Sequence, residues 1–352
     1  MQQMSAVMRA ALTGPVLVVD FGVDLLDGND VPVEDISADV LSLSVERSMY
    51  ADVHGSCTLS LLRDLVWGVD RVRPWVSVDG HRWNLGVFLL TSPDVVAGES
   101  PRARSVTGVD KLWLLQREVG DTYVVAAGTS YLDAIRQVLV DAGVTGGLLL
   151  DGDRQGTALS EPGVWLLTDQ PSSWLRVIND LLSMIGYRGL WVDENGRFRS
   201  EPYRPPTERA PVWAFDTTDT LAGIVGEDRT LSADVYAQVN HWRFVRKMDT
   251  TPAEGAGIYT VDRSAGEPYV RRKTLFLDVA DQAALVAEGD RVVAEDTANV
   301  RVASFQSGPL PLTHFDVVNL KDLELGAWGK GQVRRWSIDD SGAMDVEVEI
   351  LG

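Results

Sequence analysis

Cysteine is nearly missing from this chain: Cys57 is the only one in 352 residues. A single thiol excludes an internal disulfide and any metal centre built on cysteines. It lies in Ser56-Cys57-Thr58-Leu59-Ser60-Leu61, whose alternation reads as a strand, so a buried structural thiol is expected. Histidine is scarce too. His54, His81, His241 and His314 stand far apart, without the two histidines one helical turn apart, with a Glu between them, that zinc proteases use. The chain has no G-x-S-x-G nucleophile elbow, and Gly255-Ala256-Gly257 lacks the third glycine and the strand–helix context of a phosphate-cradling loop. Asp151-Gly152-Asp153-Arg154-Gln155-Gly156 opens like a calcium loop. Its twelfth position is Pro162, however, and Glu161 comes one residue early, which misplaces the bidentate ligand. With 51 acidic residues some carboxylates must fall close together, and a solvated acidic surface accounts for them better than a glycosidase pair. No catalytic, cofactor-binding or metal-ligating residue is assigned and no cofactor is expected. The chain reads as non-enzymatic.

Long apolar runs are also missing. Nothing approaches the roughly 18–20 residues needed to span a bilayer. Val16 to Val19 is closed at once by Asp20, so neither a signal peptide nor a membrane anchor is expected. Positive charge is in short supply, with 32 Lys and Arg against 51 Asp and Glu, a net charge of −19. That argues against nucleic acid as a gripped ligand, because phosphate binding needs clustered Lys and Arg. The deficit is spread along the chain: −7 over residues 1–110, −3 over 111–205 and −9 over 206–352. With 45% hydrophobic and 24% charged residues, the composition is that of a soluble globular protein of two or three units, made in a reducing cytoplasm.

What is present reads as α+β, mainly β. In residues 1–110, Val16 to Phe21, Val40 to Val45, Cys57 to Leu61 and Val76 to Val78 read as short strands. Asp79-Gly80 is placed for a tight hairpin, with Trp83 to Leu90 returning as the partner. Strands at this spacing predict a small barrel or sandwich. In 111–205 the character changes to α+β. Ser130 to Ala142 reads as a helix, with Ser130 and Asp133 as a capping box and Gly143 as its stop. Ser172 to Ile185 follows as a second helix, with Trp174, Ile178, Leu181 and Ile185 buried to pin it against a sheet. A hairpin turning at Asn195-Gly196 comes next, and Pro202, Pro205, Pro206 and Pro211 mark a linker. Residues 206–352 return to strands at Val235 to Val245, Val270 to Asp278, Val300 to Gln306, Asp316 to Leu320, Gln332 to Ile338 and Met344 to Ile350. A helix from Asp281 to Thr297 is inserted among them. The last strand alternates, with Met344, Val346, Val348 and Ile350 on a buried face and Asp345, Glu347 and Glu349 on a wet one. The expected architecture is thus two small β-barrel-like domains flanking an α+β middle region. Of eleven tryptophans most should pack in the core, while Trp328, between Gly326 and Gly329, is the best candidate for an exposed contact.

These segments resemble a family. Val53-His54-Gly55-Ser56-Cys57-Thr58-Leu59-Ser60-Leu61, Leu85 to Leu90 and Val106-Thr107-Gly108-Val109-Asp110 resemble the N-terminal barrel of phage tail hub proteins, the baseplate hub or tail-associated minor tail proteins of long-tailed phages. Gly128 to Ile135 is similar to the helix that follows, and Trp174 to Tyr203 is similar to minor tail proteins of phages infecting actinobacteria. Phe315 to Leu320, Val333 to Ile338 and Met344 to Ile350 resemble the second barrel.

The resemblance implies a homotrimeric ring whose two barrels per chain give six positions around the DNA channel, joining a sixfold tail to a threefold tip. It implies as partners a distal tail protein ring, a tape measure protein and tail-tip or fibre proteins. DNA would pass without specific binding along a negative wall, and the place of work would be the virion tail tip. The chain ends directly after its last strand, so the fibre or wall-degrading extensions of some relatives are expected to be missing. Two other readings stay open: a distal tail or receptor- or carbohydrate-binding tail module, and a wall-hydrolysing enzyme.

Overall fold

The computed structural model of the chain describes residues 2, 4–14, 17–91, 94–95, 103–144, 147–150, 152, 156–168, 172–218, 226–233, 239–246, 257–277, 279, 282–298, 301–313 and 315–351. Among them are four α-helices: α1 (Ala6–Leu12), α2 (Tyr131–Asp141), α3 (Trp174–Met184) and α4 (Gln282–Ala298). None is long and apolar enough to cross a membrane. Strands dominate the rest, so the fold is α+β and mainly β.

Strands from both ends of the chain join one 15-stranded sheet. From the edge at Thr230–Ala233 it runs through Arg301–Ser307, Met344–Ile350 and Ala327–Asp339. It then crosses to Val40–Ser48, Gly55–Leu61, Arg104–Asp110, Phe88–Leu90, Arg71–Val78 and Val19–Leu26, and ends at Pro32–Asp35. The seam between the two β units is the antiparallel pair Ala327–Asp339 with Val40–Ser48, where Trp336 lies opposite Arg47 and Ile338 opposite Val45. Arg335 clamps it from outside, its guanidinium donating to both Glu46 oxygens at 2.8 and 2.9 Å. The order is an open path, without a closing pair among the described residues.

Alternation decides which side chains meet. In Gly55–Leu61 the buried residues are Gly55, Cys57, Leu59 and Leu61; in Val40–Ser48 they are Leu43, Val45 and Arg47. Val45, Leu59, Val72, Val76, Phe215 and Val348 are completely buried in one core shared by both β units. Each such side chain contributes about 1.5–3 kcal/mol. The Asp79-Gly80 turn has both residues at positive φ, 49° and 77°, which suits a two-residue hairpin.

Two expected strands come out differently. The first begins at Val19 and runs on to Leu26. The return strand comes as two pieces, His81–Asn84 and Phe88–Leu90, and between them Gly86 (φ 150°) lies so close to Arg47 that a Cβ there would be 2.1 Å from the guanidinium. The last strand also departs from strict alternation. Glu349 is buried, and the Tyr50 hydroxyl donates to it at 2.6 Å.

A second core holds residues 112–198. α2 and α3 pack together through Leu132, Ile135, Val138, Val177, Ile178, Leu181 and Leu182, with Phe198 and Val192 of the following hairpin closing over them. Ile178, Leu181 and Ile185 are buried as expected, while Trp174 is half-buried, its ring edge-on to Tyr123 at 5.4 Å. Ser130 takes the N-cap of α2, but Asp133 pairs with Arg136 instead of closing a capping box. Gly143 (φ 66°) and Gly186 (φ 70°) follow the two helices in the left-handed conformation that ends them.

The helix expected near 281–297 does not stand alone. Between Thr230–Ala233 and Arg301–Ser307, which pair with each other, the chain also builds a three-stranded sheet in the order Ile258–Asp262, His241–Arg246, Arg272–Leu277. α4 covers one face of it over a third core of Trp242, Phe244, Leu285, Val292 and Val293. The Trp242 indole donates to Asp296 at 2.7 Å. Residues 234–238, the start of one expected strand, lie outside the described residues.

Candidate functional site

Among the described residues, a cluster of buried charges lies where the middle region meets the two β units. Arg47 projects from the seam strand and is 4% exposed. Its guanidinium donates to the Leu85 carbonyl at 3.1 and 3.2 Å and to Val192, in the middle region, at 3.3 Å. Asp110, completely buried, stands 3.7 Å away. Lys111 is also completely buried. Its ammonium donates to Asp30 at 2.5 Å and to the Gly196 carbonyl at 2.9 Å, beneath the Phe198 ring at 5.1 Å. Asp30 (φ 65°) accepts from Arg71 as well. The Asn195-Gly196 turn is therefore more than a hairpin end. It is the tongue by which the middle region grips the N-terminal unit, helped by the Asn84 side-chain amide, which donates to Asn195 Oδ1 at 2.8 Å.

Electrostatics follow from burial. Removal from water pushes the Asp110 carboxyl up to about 6, an effect that Arg47 opposes. The same cause lowers Arg47 and Lys111 and raises Glu194. His54 is pushed down to about 4, first by burial and then by the Arg47 charge. Cys57 is 2% exposed and its thiol is pushed up to about 12 by burial, so it is a packed thiol and not a nucleophile.

On the far side of the seam, Phe315 ties three parts of the chain together. Its ring lies edge-on to Trp191 at 5.3 Å and to His54 at 6.4 Å, and the Arg188 guanidinium sits over it at 4.6 Å. Arg188 and Arg291 of α4 also stack on Tyr203, at 4.9 and 5.0 Å. Phe315 has φ 60°, a conformation that costs a bulky residue energy and persists only when the surroundings enforce it. A cavity of about 410 Å³ opens beside it, lined by His54, Asn179, Arg188, Tyr203 and Arg291 among others. The Pro205–Pro211 stretch is part of this joint: Arg209 donates to the Phe315 carbonyl. A second, open cavity of about 700 Å³ is lined by Asp24, Glu34, Arg73, Arg82 and Trp83, with Arg73 and Arg82 both paired with Asp24.

The residues singled out in the sequence are not brought together. His54 is interior, His81 sits on a hairpin strand and His241 lies 3.3 Å from Asp262; His314 is outside the described residues. Most of the loop resembling a calcium site, and Gly255-Ala256, also lie outside them. Among the described residues no three His, Cys, Asp or Glu side chains are grouped to hold a metal ion. Trp328 is 65% exposed, as expected, and Trp113 is exposed too. Sequence reasoning missed Arg47, Asp110, Lys111 and Phe315. A charge is read locally as solvated, and the signals that could have found the buried guanidinium are Gly55 and Gly86, where a Cβ would meet Arg47.

No family model matches the sequence, and no curated protein does. The fold does have relatives among solved structures. A tail protein from Neisseria meningitidis MC58 superposes with a TM-score of 0.68 at 14% identity, covering 94% of this chain and 96% of that one. The 43 kDa tail protein of prophage MuSo2 from Shewanella oneidensis gives 0.64 at 13% identity, over 94% and 98%. Prophage tail protein gp18 from Listeria monocytogenes EGD-e gives 0.56 at 11%, over 93% and 94%. Across nearly its whole length, this chain has the fold of phage tail proteins.

Proposed function

We propose that the chain is a structural hub of a phage tail tip, a homotrimer forming a ring around the DNA channel. The observation that carries this reading is the seam. One subunit holds its two β units side by side in one sheet, so three subunits supply six β units, matching a sixfold tail above to a threefold tip below. In this reading residues 1–110 and 206–352 contribute the ring and 111–205 is a rigid spacer locked on by Lys111 and Arg47. The neighbours are a distal tail ring, the tape measure protein and tail-tip or fibre proteins. Assembly takes place in the host cytoplasm. DNA slides without specific binding, because an acidic wall repels phosphate over about 8 Å at physiological salt.

The protein does no chemistry in this role. Its buried charges are spent on internal contacts, and burial holds its one thiol protonated. Reconstruction of assembled tails tests the reading. Threefold density for this chain around the channel is expected, whereas a sixfold ring would assign it instead to the distal tail position. Clearing of purified peptidoglycan by the isolated protein would overturn the non-enzymatic part.

A further inference from the structure

The three-stranded sheet of the insertion has one face on α4 and one face open. Strand register fixes what the open face carries. At one end Asp262, His241 and Arg272 lie side by side; Thr260, Arg243 and Thr274 follow; Ile258, Val245 and Phe276 make the last row. Arg243, Arg272, Thr260 and Thr274 are exposed, and Phe276 is 65% exposed. Neither Arg243 nor Arg272 makes an ion pair with a described residue, although His241 pairs with Asp262 and neighbouring Arg271 with Glu267. By contrast Arg335 at the seam pairs with Glu46, and Arg71 at the Lys111 tongue pairs with Asp30. Residues 239–277 hold seven basic and four acidic side chains, +3 in all, which leaves −22 on the remainder of a chain of −19.

We infer that this open face is a contact surface for a second copy of the same chain. Arg243 and Arg272, without an ion pair among the described residues, meet acidic surface of the neighbouring subunit, and Phe276 is the apolar anchor. Charge complementarity selects the occupant. The body of every copy is strongly acidic, so the neighbour in a ring is attractive to this island and to little else of its own surface. Nucleic acid would also suit Arg, Thr and an exposed ring, but it must approach through the repulsion of the whole acidic chain. An exposed aromatic beside arginines is the usual composition of an interface anchor. The inference rests on the ring reading above, since it supplies the ring with a subunit contact.

The test is mass photometry and sedimentation of the full chain, wild type against the R243E/R272E double variant and against Phe276→Ala. Thermal melts check that each remains folded. The wild type should assemble, and the double variant should dissociate at protein concentrations at least tenfold higher, with an unchanged melt. Phe276→Ala should act in the same direction, and added salt should weaken the wild type. A wild-type trimer whose variants assemble equally well would overturn this contact while leaving the ring intact. A monomeric wild type would overturn both. Binding of a short single-stranded DNA to the wild type, lost in R243E/R272E, would assign the face to nucleic acid and also refute the inference.

Discussion

Phe315 and His54 are where single residues matter most. A phenylalanine at φ 60° persists only where its surroundings enforce it, and here Trp191, His54 and Arg188 pack around its ring. His54, between Phe315 and Arg47, carries a pH signature. Its pKa is near 6.5 unfolded and about 4 folded, so the fold holds the neutral ring. That contribution is complete above pH 6.5 and is lost as the pH falls toward 4. At ~1.36 kcal/mol per pKa unit the loss is about 3 kcal/mol. Asp110, raised to about 6, works the other way: its protonated form is favoured, so acid relieves part of the cost of burying it. Comparing wild type with His54→Gln isolates the first effect. Urea unfolding at pH 7.5 and 4.5 should show the wild type losing more stability on acidification than the variant. Equal losses would place His54 in contact with solvent.

Elements were legible where the signal is local. The positive-φ turn at Asp79-Gly80, the glycine stops of α2 and α3, the hairpin after α3 and the span Met344–Ile350 follow from residue pattern alone. The seam was not legible, because pairing between residues 40–48 and 327–339 has no sequence signature at that separation. The buried Glu349 escaped notice because its partner, Tyr50, is remote in the chain. At the candidate site the turn was visible and its grip was not. Two substitutions probe these elements. Leu181 is completely buried between α2 and α3, so Leu181→Ala should cost about 2–5 kcal/mol in urea unfolding. A change within ~0.5 kcal/mol would put α3 on the surface. Gly196 has φ 78°, and a Cβ there would lie 2.9 Å from Val87. Gly196→Ala should therefore loosen the tongue on Lys111, raising amide exchange in residues 191–200 well above that in α4. Unchanged exchange would show that the tongue is not what locks the middle region.

At the scale of the whole molecule, the chain is one sheet with two attachments. The sheet unites the ends of the sequence in a shared core, the middle region is pinned by buried charge, and the insertion presents a basic face on an acidic body. The buried polar groups of the seam are held by internal hydrogen bonds and ion pairs that fix its geometry. The central claim is that three such chains close a ring. The most direct measurement is the mass of the purified assembly in solution under native conditions. The account predicts three times the 38.5 kDa chain. Six copies, or a monomer at every concentration tested, would contradict it.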